Sequence, residues 1–235
     1  MTAIGSGAII AAGEGSRLRA AGLPKPLVPV AGEPLIAGVL ENFAAAGVSP
    51  VSVIFNADEE DCAAYVRERF SRLVSRILLE TTASSFESFQ KVLAISPAGR
   101  VLVSTVDAFC PQEDFIAFAR SAAKTPTETT VLAVTPFVAD EKPLWVSFDA
   151  SGRVTRVGGS SGDAVTAGIY VVAPQARRLE PPSNVSRLRE FLSWLCREGH
   201  DMRIVSIPKV IDVDRPEDVR MAEEMAREAD VRTRA

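Results

Sequence analysis

Residues 7–18 read GAIIAAGEGSRL, and residues 23–27 continue with LPKPL. The first six residues of this stretch are small or apolar and have the composition of a buried strand. Two glycines, a hydroxyl and a cation follow at once, at Gly13, Gly15, Ser16 and Arg17. Glycines let a ligand approach the backbone closely, and exposed N–H groups beside a cation attract anions. The stretch therefore predicts a polyphosphate site beyond the carboxyl end of the first strand, where open α/β sheets bind ligands.

Two commoner phosphate-binding motifs do not fit these glycines. A dinucleotide fingerprint that starts at Gly13 and Gly15 needs a third small residue at position 18, which is Leu18. A Walker-type loop that starts at Gly13 needs glycine and then lysine where Leu18 and Arg19 stand. Taken alone, the glycines are equally compatible with an ordinary strand-to-loop turn, and Arg17 and Lys25 with solvated surface cations.

The chain on either side of this stretch alternates between strand-length apolar runs and segments of helical period. Residues 51–55 and 101–106 have the composition of strands, and between residues 35 and 43 apolar residues recur at the spacing of one helix face. This alternation predicts an α/β fold with a mixed, mostly parallel sheet covered by helices on both faces. A β-rich part around residues 129–173 follows, with a hairpin turn at Asp149-Ala150-Ser151-Gly152. Without a long linker, residues 1–235 are predicted to form a single domain.

Composition excludes several classes of function. Lys and Arg number 26 against 30 Asp and Glu, and a net charge of −4 argues against a nucleic-acid partner. No apolar run approaches the ~20 residues of a membrane-spanning helix, and residues 1–7 lack the basic start of a secretion signal, so a cytoplasmic location is expected. The three cysteines lack CxxC spacing, which argues against a disulfide framework and a zinc site. The presence of only a single histidine argues against a histidine-based catalytic triad.

Residues 11–36, AAGEGSRLRAAGLPKPLVPVAGEPLI, resemble the signature of the nucleotidyltransferases that act on sugar 1-phosphates, alcohol phosphates and the molybdenum cofactor. In that family a strand ends in Ala-Ala-Gly, followed by Gly-Ser/Thr-Arg and, further on, Pro-Lys. The matching positions are Gly13, Gly15, Ser16, Arg17, Pro24 and Lys25. The resemblance implies a Rossmann-like fold of the nucleotide-diphospho-sugar transferase type.

The resemblance also implies an activity and its partners. The expected reaction moves a nucleoside monophosphate from an NTP to a small phosphorylated acceptor, first of all a sugar 1-phosphate, and releases pyrophosphate with the help of Mg²⁺. One alternative is a cytidylyltransferase that acts on an alcohol phosphate such as phosphocholine. A second alternative, from another class, is a module that senses nucleotides or sugar phosphates and has lost turnover. The Glu-Glu-Lys-Pro motif of larger sugar-nucleotide enzymes is replaced by residues 157–163, VGGSSGD, which leaves the acceptor open.

Site residues carry over by position. Arg17 and Lys25 are the expected catalytic cations, and Asp107 and Asp212 the expected Mg²⁺ ligands. Thr166 and Gly168 are the expected acceptor contacts, although a plain core strand would also explain them. The expected nucleotide-binding residues are Ala11, Ala12, Gly13, Glu14, Gly15, Ser16, Arg17, Lys25, Ser84 and Ser85.

Two of these assignments have structural competitors. Asp214 competes with Asp212 for the metal, but Asp214 and Glu217 have the spacing of a helix cap and its partner, with Pro216 in the first turn. The metal is therefore assigned to Asp212. Ser84 and Glu87 have the spacing of a capping box, which explains this pair without any contact to a nucleobase.

Overall fold

The computed structural model describes residues 4–13, 18, 22–139 and 141–234. These residues fold into an α/β structure whose main sheet has nine strands within the described ranges. The strands are β1 (Ser6–Ala11), β2 (Pro29–Val30), β3 (Glu33–Pro34), β4 (Val51–Phe55), β5 (Val74–Leu79), β6 (Val101–Thr105), β7 (Ala108–Phe109), β8 (Thr130–Thr135), β9 (Trp145–Phe148), β10 (Val154–Val157), β11 (Ala164–Val172), β12 (Met202–Ser206) and β13 (Ile211–Asp212). The α-helices are α1 (Leu35–Ala45), α2 (Glu60–Arg69), α3 (Ser85–Ile95), α4 (Gln112–Ala122), α5 (Leu188–Arg197) and α6 (Pro216–Arg234).

The centre of the sheet is parallel. Strand β1 lies between β4 and β6, and β5 extends the sheet beyond β4, all in the same direction. Every residue of β1 is buried, as expected for a strand covered on both faces. The mostly parallel sheet predicted from the strand–helix alternation is therefore confirmed.

Helices cover both faces because alternate residues of each strand point to opposite sides. In β1, Ile9 and Ala11 pack into the core beneath α1, α4 and α6, whereas Ala8 and Ile10 pack into the core beneath α3 and α5. Gly7 allows α1 to approach, since a Cβ atom on Gly7 would stand 2.5 Å from the ring of Phe43.

The β-rich part is an antiparallel extension of the sheet. Strand β11 pairs antiparallel with β8 along one side, and along its other side with β9 near its start and with β6 near its end. Strands β9 and β10 form the predicted hairpin, in which the Gly152 N–H donates to the carbonyl of Asp149 over 2.9 Å. Strand β12 then pairs parallel with β8. No described helix is both long and apolar enough to cross a membrane.

Candidate active site at the carboxyl edge of the sheet

The candidate site lies where β1 and β6 end side by side. These parallel neighbours are in register at Ile10 and Thr105, and the Val106 N–H donates to the Ile10 carbonyl over 3.0 Å. The turn after β1 and the turn after β6 therefore leave the sheet at one edge, as the sequence predicted. Gly13 is exposed there, and a Cβ atom on Gly13 would have no described atom within 4 Å. This position has room for a ligand.

The expected phosphate-binding loop is described only in part. Ala11 and Ala12 are buried at the end of β1, and Gly13 follows them. Glu14, Gly15, Ser16 and Arg17 lie outside the described residues. Their assignment to the nucleotide stays a prediction.

Lys25 is the best-defined cation of the site. Lys25 begins a short 3-10 turn, Lys25–Leu27, directly after Pro24, and only 6% of the residue is exposed. Its Nζ donates to Asp107 Oδ2 over 2.6 Å and also to Asp214 Oδ1. A buried ammonium needs such partners, because an unpaired charge away from water is costly. Lys25 therefore joins two carboxylates that are far apart in the sequence.

A small two-stranded sheet brings Asp212 to the same place. Strand β13 pairs antiparallel with β7, and this ladder sets Asp212 opposite Ala108, the residue after Asp107. The Asp107 carbonyl accepts from the N–H groups of Phe109 and Val213, at 2.9 and 3.0 Å. This backbone pairing fixes the C-terminal part of the chain against the end of β6.

Three carboxylates converge as a result. One carboxylate oxygen each of Asp107, Asp212 and Asp214 lies within 4.8 Å of the others. Carboxylate oxygens are the ligands that hard cations such as Mg²⁺ prefer, and converging negative charges favour a divalent ion. The donor set therefore fits Mg²⁺.

The capping role predicted for Asp214 is wrong. Helix α6 begins at Pro216, and the carboxylate that accepts from the helix start belongs to Asp218, whose Oδ2 binds the N–H groups of Asp214 and Arg215 at 3.1 and 2.8 Å. Asp218 is 2% exposed and ion-paired to Arg215. Asp218 thus takes the role that the spacing predicted for Glu217, one residue further along the chain. The side chain of Asp214 is directed to Lys25 instead.

The ion pair between Lys25 and Asp107 shifts the pKa of both groups. Burial alone would lower the pKa of Lys25, but Asp107 and Asp214 outweigh this effect and raise it above its ordinary value. Burial alone would raise the pKa of Asp107, but Lys25 lowers it below its usual range. Both groups are therefore charged at neutral pH.

A cleft of about 320 Å³ opens beside the carboxylates. Its lining includes Asp107 and Asp212 and, from the β-rich part, Thr166 and Gly168. The predicted acceptor residues and the predicted metal ligands therefore share one cavity. Cavities of this size accommodate small molecules.

Gly168 has a clear structural reason to be glycine. Its φ is +71°, and a Cβ atom there would lie 2.7 Å from Thr105 Oγ1 and 2.9 Å from the Cβ of Ala108. The pairing of β11 with β8 shifts register between Thr166 and Tyr170, so Gly168 lies in an irregular part of the strand. The glycine allows β11 to approach β6 and β7, in addition to lining the cleft.

Tyr170 also lines the cleft, although no role of its own was predicted for it from the sequence. Burial raises the pKa of Tyr170 to about 12, a hydrogen bond with Thr166 opposes this shift, Asp107 and Asp212 add to it, and Arg189 opposes it. The hydroxyl group thus lies within electrostatic reach of two carboxylates and a guanidinium of the cleft.

The two serines have different roles. Ser84 caps α3, since its Oγ accepts from the Glu87 N–H over 3.1 Å, while a Glu87 carboxylate oxygen accepts from the Ala83 N–H over 2.6 Å. The predicted cap is confirmed, with Ala83 as the donor to Glu87. Ser85 lines the cleft, and its Oγ accepts from the Leu188 N–H over 3.2 Å.

A ring cluster attaches α5 to α3. The Phe191 ring lies 4.8 Å from that of Phe86, 5.5 Å from that of Phe89 and 5.9 Å from that of Trp194. This packing brings the start of α5 to the cleft, where Arg187, Leu188 and Arg189 join the lining. These residues were not predicted, because two arginines near a helix start have the sequence pattern of an ordinary solvated surface.

Comparison with known proteins agrees with this geometry. A family model described as the MobA-like NTP transferase domain matches residues 7–164. A 2-aminoethylphosphonate cytidylyltransferase of Lancefieldella rimae is 28% identical over 177 residues, which cover 73% of this chain and 68% of that protein. The bifunctional protein GlmU of Rhizobium johnstonii is 46% identical over 55 residues, or 23% of this chain and 12% of that protein.

Among solved structures, an inositol-1-phosphate CTP transferase from T. maritima is similar, with a TM-score of 0.82. The two sequences are 19% identical, and the match covers 96% of this chain and 97% of the other. At this identity the likeness shows a shared fold, the one expected from residues 11–36.

Proposed function

Because this chain belongs to the MobA-like NTP transferase family, we propose that it transfers a nucleoside monophosphate from an NTP to a phosphorylated small molecule and releases pyrophosphate. The observation that carries the proposal is the meeting of Lys25, Asp107 and Asp212 beside a cleft of about 320 Å³, which the two carboxylates help to line. A cation and converging carboxylates beside a small-molecule cavity suit phosphoryl chemistry, which depends on alignment and on stabilisation of negative charge.

The proposed reaction is a direct displacement and needs no covalent enzyme intermediate. A phosphate oxygen of the acceptor forms a bond to the α-phosphorus of the NTP, and the bond from that phosphorus to the bridging oxygen breaks. Pyrophosphate carries away the electron pair. Negative charge grows on the α-phosphoryl oxygens and on the leaving group, so cationic groups placed there in advance accelerate the step.

Lys25 is the proposed catalytic cation for the α-phosphoryl oxygens. Its ammonium is held by Asp107 and Asp214, so its charge is positioned before the substrate arrives. Removing one such preorganised donor in other enzymes costs about 10² to 10³ in kcat. Arg17 is proposed to bind the β- and γ-phosphates together with the backbone of residues 11–16.

Asp107 and Asp212 are the proposed Mg²⁺ ligands. When bound, the ion would neutralise phosphate charge and orient the phosphate groups. Asp212 is the proposed second ligand because it takes the position that the family resemblance implies, and its carboxylate lies within 4.8 Å of those of Asp107 and Asp214. Ser84 and Ser85 remain proposed nucleobase contacts, with Ser85 the better placed because it lines the cleft.

A sugar 1-phosphate is the first acceptor class proposed, with the β-rich wall at Thr166 and Gly168 as its binding surface. An alcohol phosphate used with CTP is the second, and the similarity to a 2-aminoethylphosphonate cytidylyltransferase favours it. Both classes present a phosphoryl oxygen as the nucleophile, so they share the same chemistry at the carboxylate end of the cleft.

Pyrophosphate release tests the proposal. The purified protein is incubated with Mg²⁺, each of the common NTPs and a panel of sugar and alcohol phosphates. The expected result is release that requires one NTP, one class of acceptor and the metal, and that falls by about 10² or more in Lys25→Met. Nucleotide binding without release for any pair would identify a sensing module instead of an enzyme.

A further inference from the structure

Charges of both signs line the cleft. Among the described lining residues, the carboxylates are Asp107 and Asp212, the two proposed Mg²⁺ ligands. The lining also includes the cations Arg187 and Arg189, from the start of α5. An acceptor whose phosphate lies beside the proposed metal ligands would place the rest of the molecule in a cleft that carries these two positive charges.

Arg189 is held in this position. One of its terminal nitrogens donates to the Lys142 carbonyl over 2.7 Å, and the residue is half-buried. It faces the cleft on one side and, on the other, an outer groove lined by Ser193 and Arg197. The Tyr170 hydroxyl lies within electrostatic reach of Arg189, as it does of Asp107 and Asp212. Arg189 therefore adds a positive charge, held by a backbone contact, to the lining of the cleft.

The aromatic lining does not offset this charge. Quaternary and primary ammonium ligands are commonly held over aromatic faces. Phe137 lines the cleft, but Lys209 already places its Nζ 4.8 Å from the centre of that ring. Tyr170 is 5% exposed. An ammonium group in the cleft would thus meet further cations and no described carboxylate outside the proposed metal site.

The geometry points to Arg189 as a specificity-determining residue that makes the cleft select acceptor phosphates with a neutral or anionic far end over those with an ammonium group. This inference rests on the proposed function, and it separates sugar, polyol and acidic alcohol phosphates from amino-alcohol phosphates. It also sets this chain apart from the relative named for 2-aminoethylphosphonate, whose substrate carries an amine. Placing like charges together is a common way to reject the wrong partner.

Three phosphate monoesters of equal length test the inference. Phosphoglycolate, ethylene glycol phosphate and phosphoethanolamine share a two-carbon skeleton and end in a carboxylate, a hydroxymethyl and an ammoniomethyl group, respectively. Each is titrated into the protein by calorimetry in the presence of Mg²⁺. The dissociation constant of phosphoethanolamine is expected to exceed that of the other two by at least about tenfold in the wild type.

The variants separate charge from packing. Arg189→Gln should bring the three dissociation constants together, and Arg189→Lys should keep the wild-type order, since it keeps the charge. Arg197→Gln, on the same helix but lining only the outer groove, should also keep that order. Equal or tighter binding of phosphoethanolamine by the wild type, a preference that persists in Arg189→Gln, or no binding of any probe would each overturn the inference.

Pyrophosphate release in the same samples distinguishes this inference from the proposed function. Preferred turnover with phosphoethanolamine would overturn the charge selection and leave the transferase intact. Preferred binding of phosphoglycolate, with no release for any NTP and acceptor, would support the charge selection and overturn the transferase.

Discussion

Replacement of Lys25 by methionine removes one charge from the site and keeps nearly the same side-chain volume. In the wild type, Nζ lies 2.6 Å from Asp107 Oδ2 and also pairs with Asp214. A metal ion on Asp107 would therefore have the ammonium close by, at roughly 4 Å. The same residue that assists the reaction would then oppose metal binding in the absence of nucleotide.

The repulsion between the Lys25 ammonium and the metal ion is large enough to measure. Unit charges 4 Å apart interact by about 1 kcal/mol in water, which gives about 2 kcal/mol for a divalent ion, or roughly thirtyfold in affinity. The value for water is used because the side chains of Asp107 and Asp214 are 25% and 45% exposed to solvent. It is a lower limit, since partial burial strengthens the interaction between charges. Lys25→Met should thus bind Mn²⁺ at least about thirtyfold more tightly while kcat falls.

Mn²⁺ binding to the nucleotide-free protein is measured by calorimetry, with wild type, Lys25→Met and Lys124→Met compared at one ionic strength. Lys124 is exposed beyond α4 and outside the cleft lining, so its variant should bind Mn²⁺ like the wild type. Unchanged or weaker Mn²⁺ binding by Lys25→Met would refute the reasoning, because it would mean that the ammonium and the metal do not share the Asp107 carboxylate.

The pH dependence of stability gives an independent measurement on the same variant. The pKa of Asp107 is lowered in the folded protein, so its contribution is present above its unfolded pKa and is lost as pH falls through the folded value. The pKa of Lys25 is raised, so its contribution is present below its unfolded pKa and is lost as pH rises through the folded value. The difference in unfolding free energy between wild type and Lys25→Met should be flat between about pH 5 and 9 and shrink outside that window.

Three further substitutions test other parts of the site. Gly13→Val should leave the melting temperature unchanged, since a Cβ atom there would have no described neighbour within 4 Å, yet weaken NTP binding at least about tenfold. Normal NTP binding by this variant in calorimetry would show that the nucleotide does not contact the turn after β1. Gly168→Ala should lower the free energy of unfolding by about 1–3 kcal/mol in urea titrations, because of the positive φ and the contact with Thr105; full stability would contradict the close approach of β11. Asp212→Asn should weaken Mn²⁺ binding at least about tenfold without loss of fold; an unchanged affinity would move the proposed ligand to Asp214.

The sequence predicted the fold well because its signals are local. Buried strands such as residues 51–55 are continuous apolar runs, and the hairpin at Asp149–Gly152 carries its own turn chemistry. Asp107 could be placed from the same information, since a residue that follows a central parallel strand must lie at the carboxyl edge. Lys25 and Asp212 were assigned to the same site from the family resemblance, because local sequence patterns do not show that these residues lie at that edge.

The contacts between distant segments could not be predicted in the same way. The pairing of Lys25 with Asp214 depends on where α6 starts, and Asp218 takes the place that the sequence predicted for Glu217, one residue earlier. Arg189 reaches the cleft because Phe191 packs against the rings of α3, a tertiary contact that no spacing within α5 reveals. Side-chain direction at helix starts was thus the least predictable part of the site.

The rings that join α3 to α5 have a consequence for redesign. Ser85 opens one of these helices and Leu188 the other, so the serine proposed to contact the base and the arginine proposed to select the acceptor depend on the same packing of Phe86, Phe89 and Phe191. Truncation of any of these rings should displace both helix starts and alter the choice of nucleotide and of acceptor together. Arg189, which lies outside the ring contacts, offers a handle for retuning the acceptor alone.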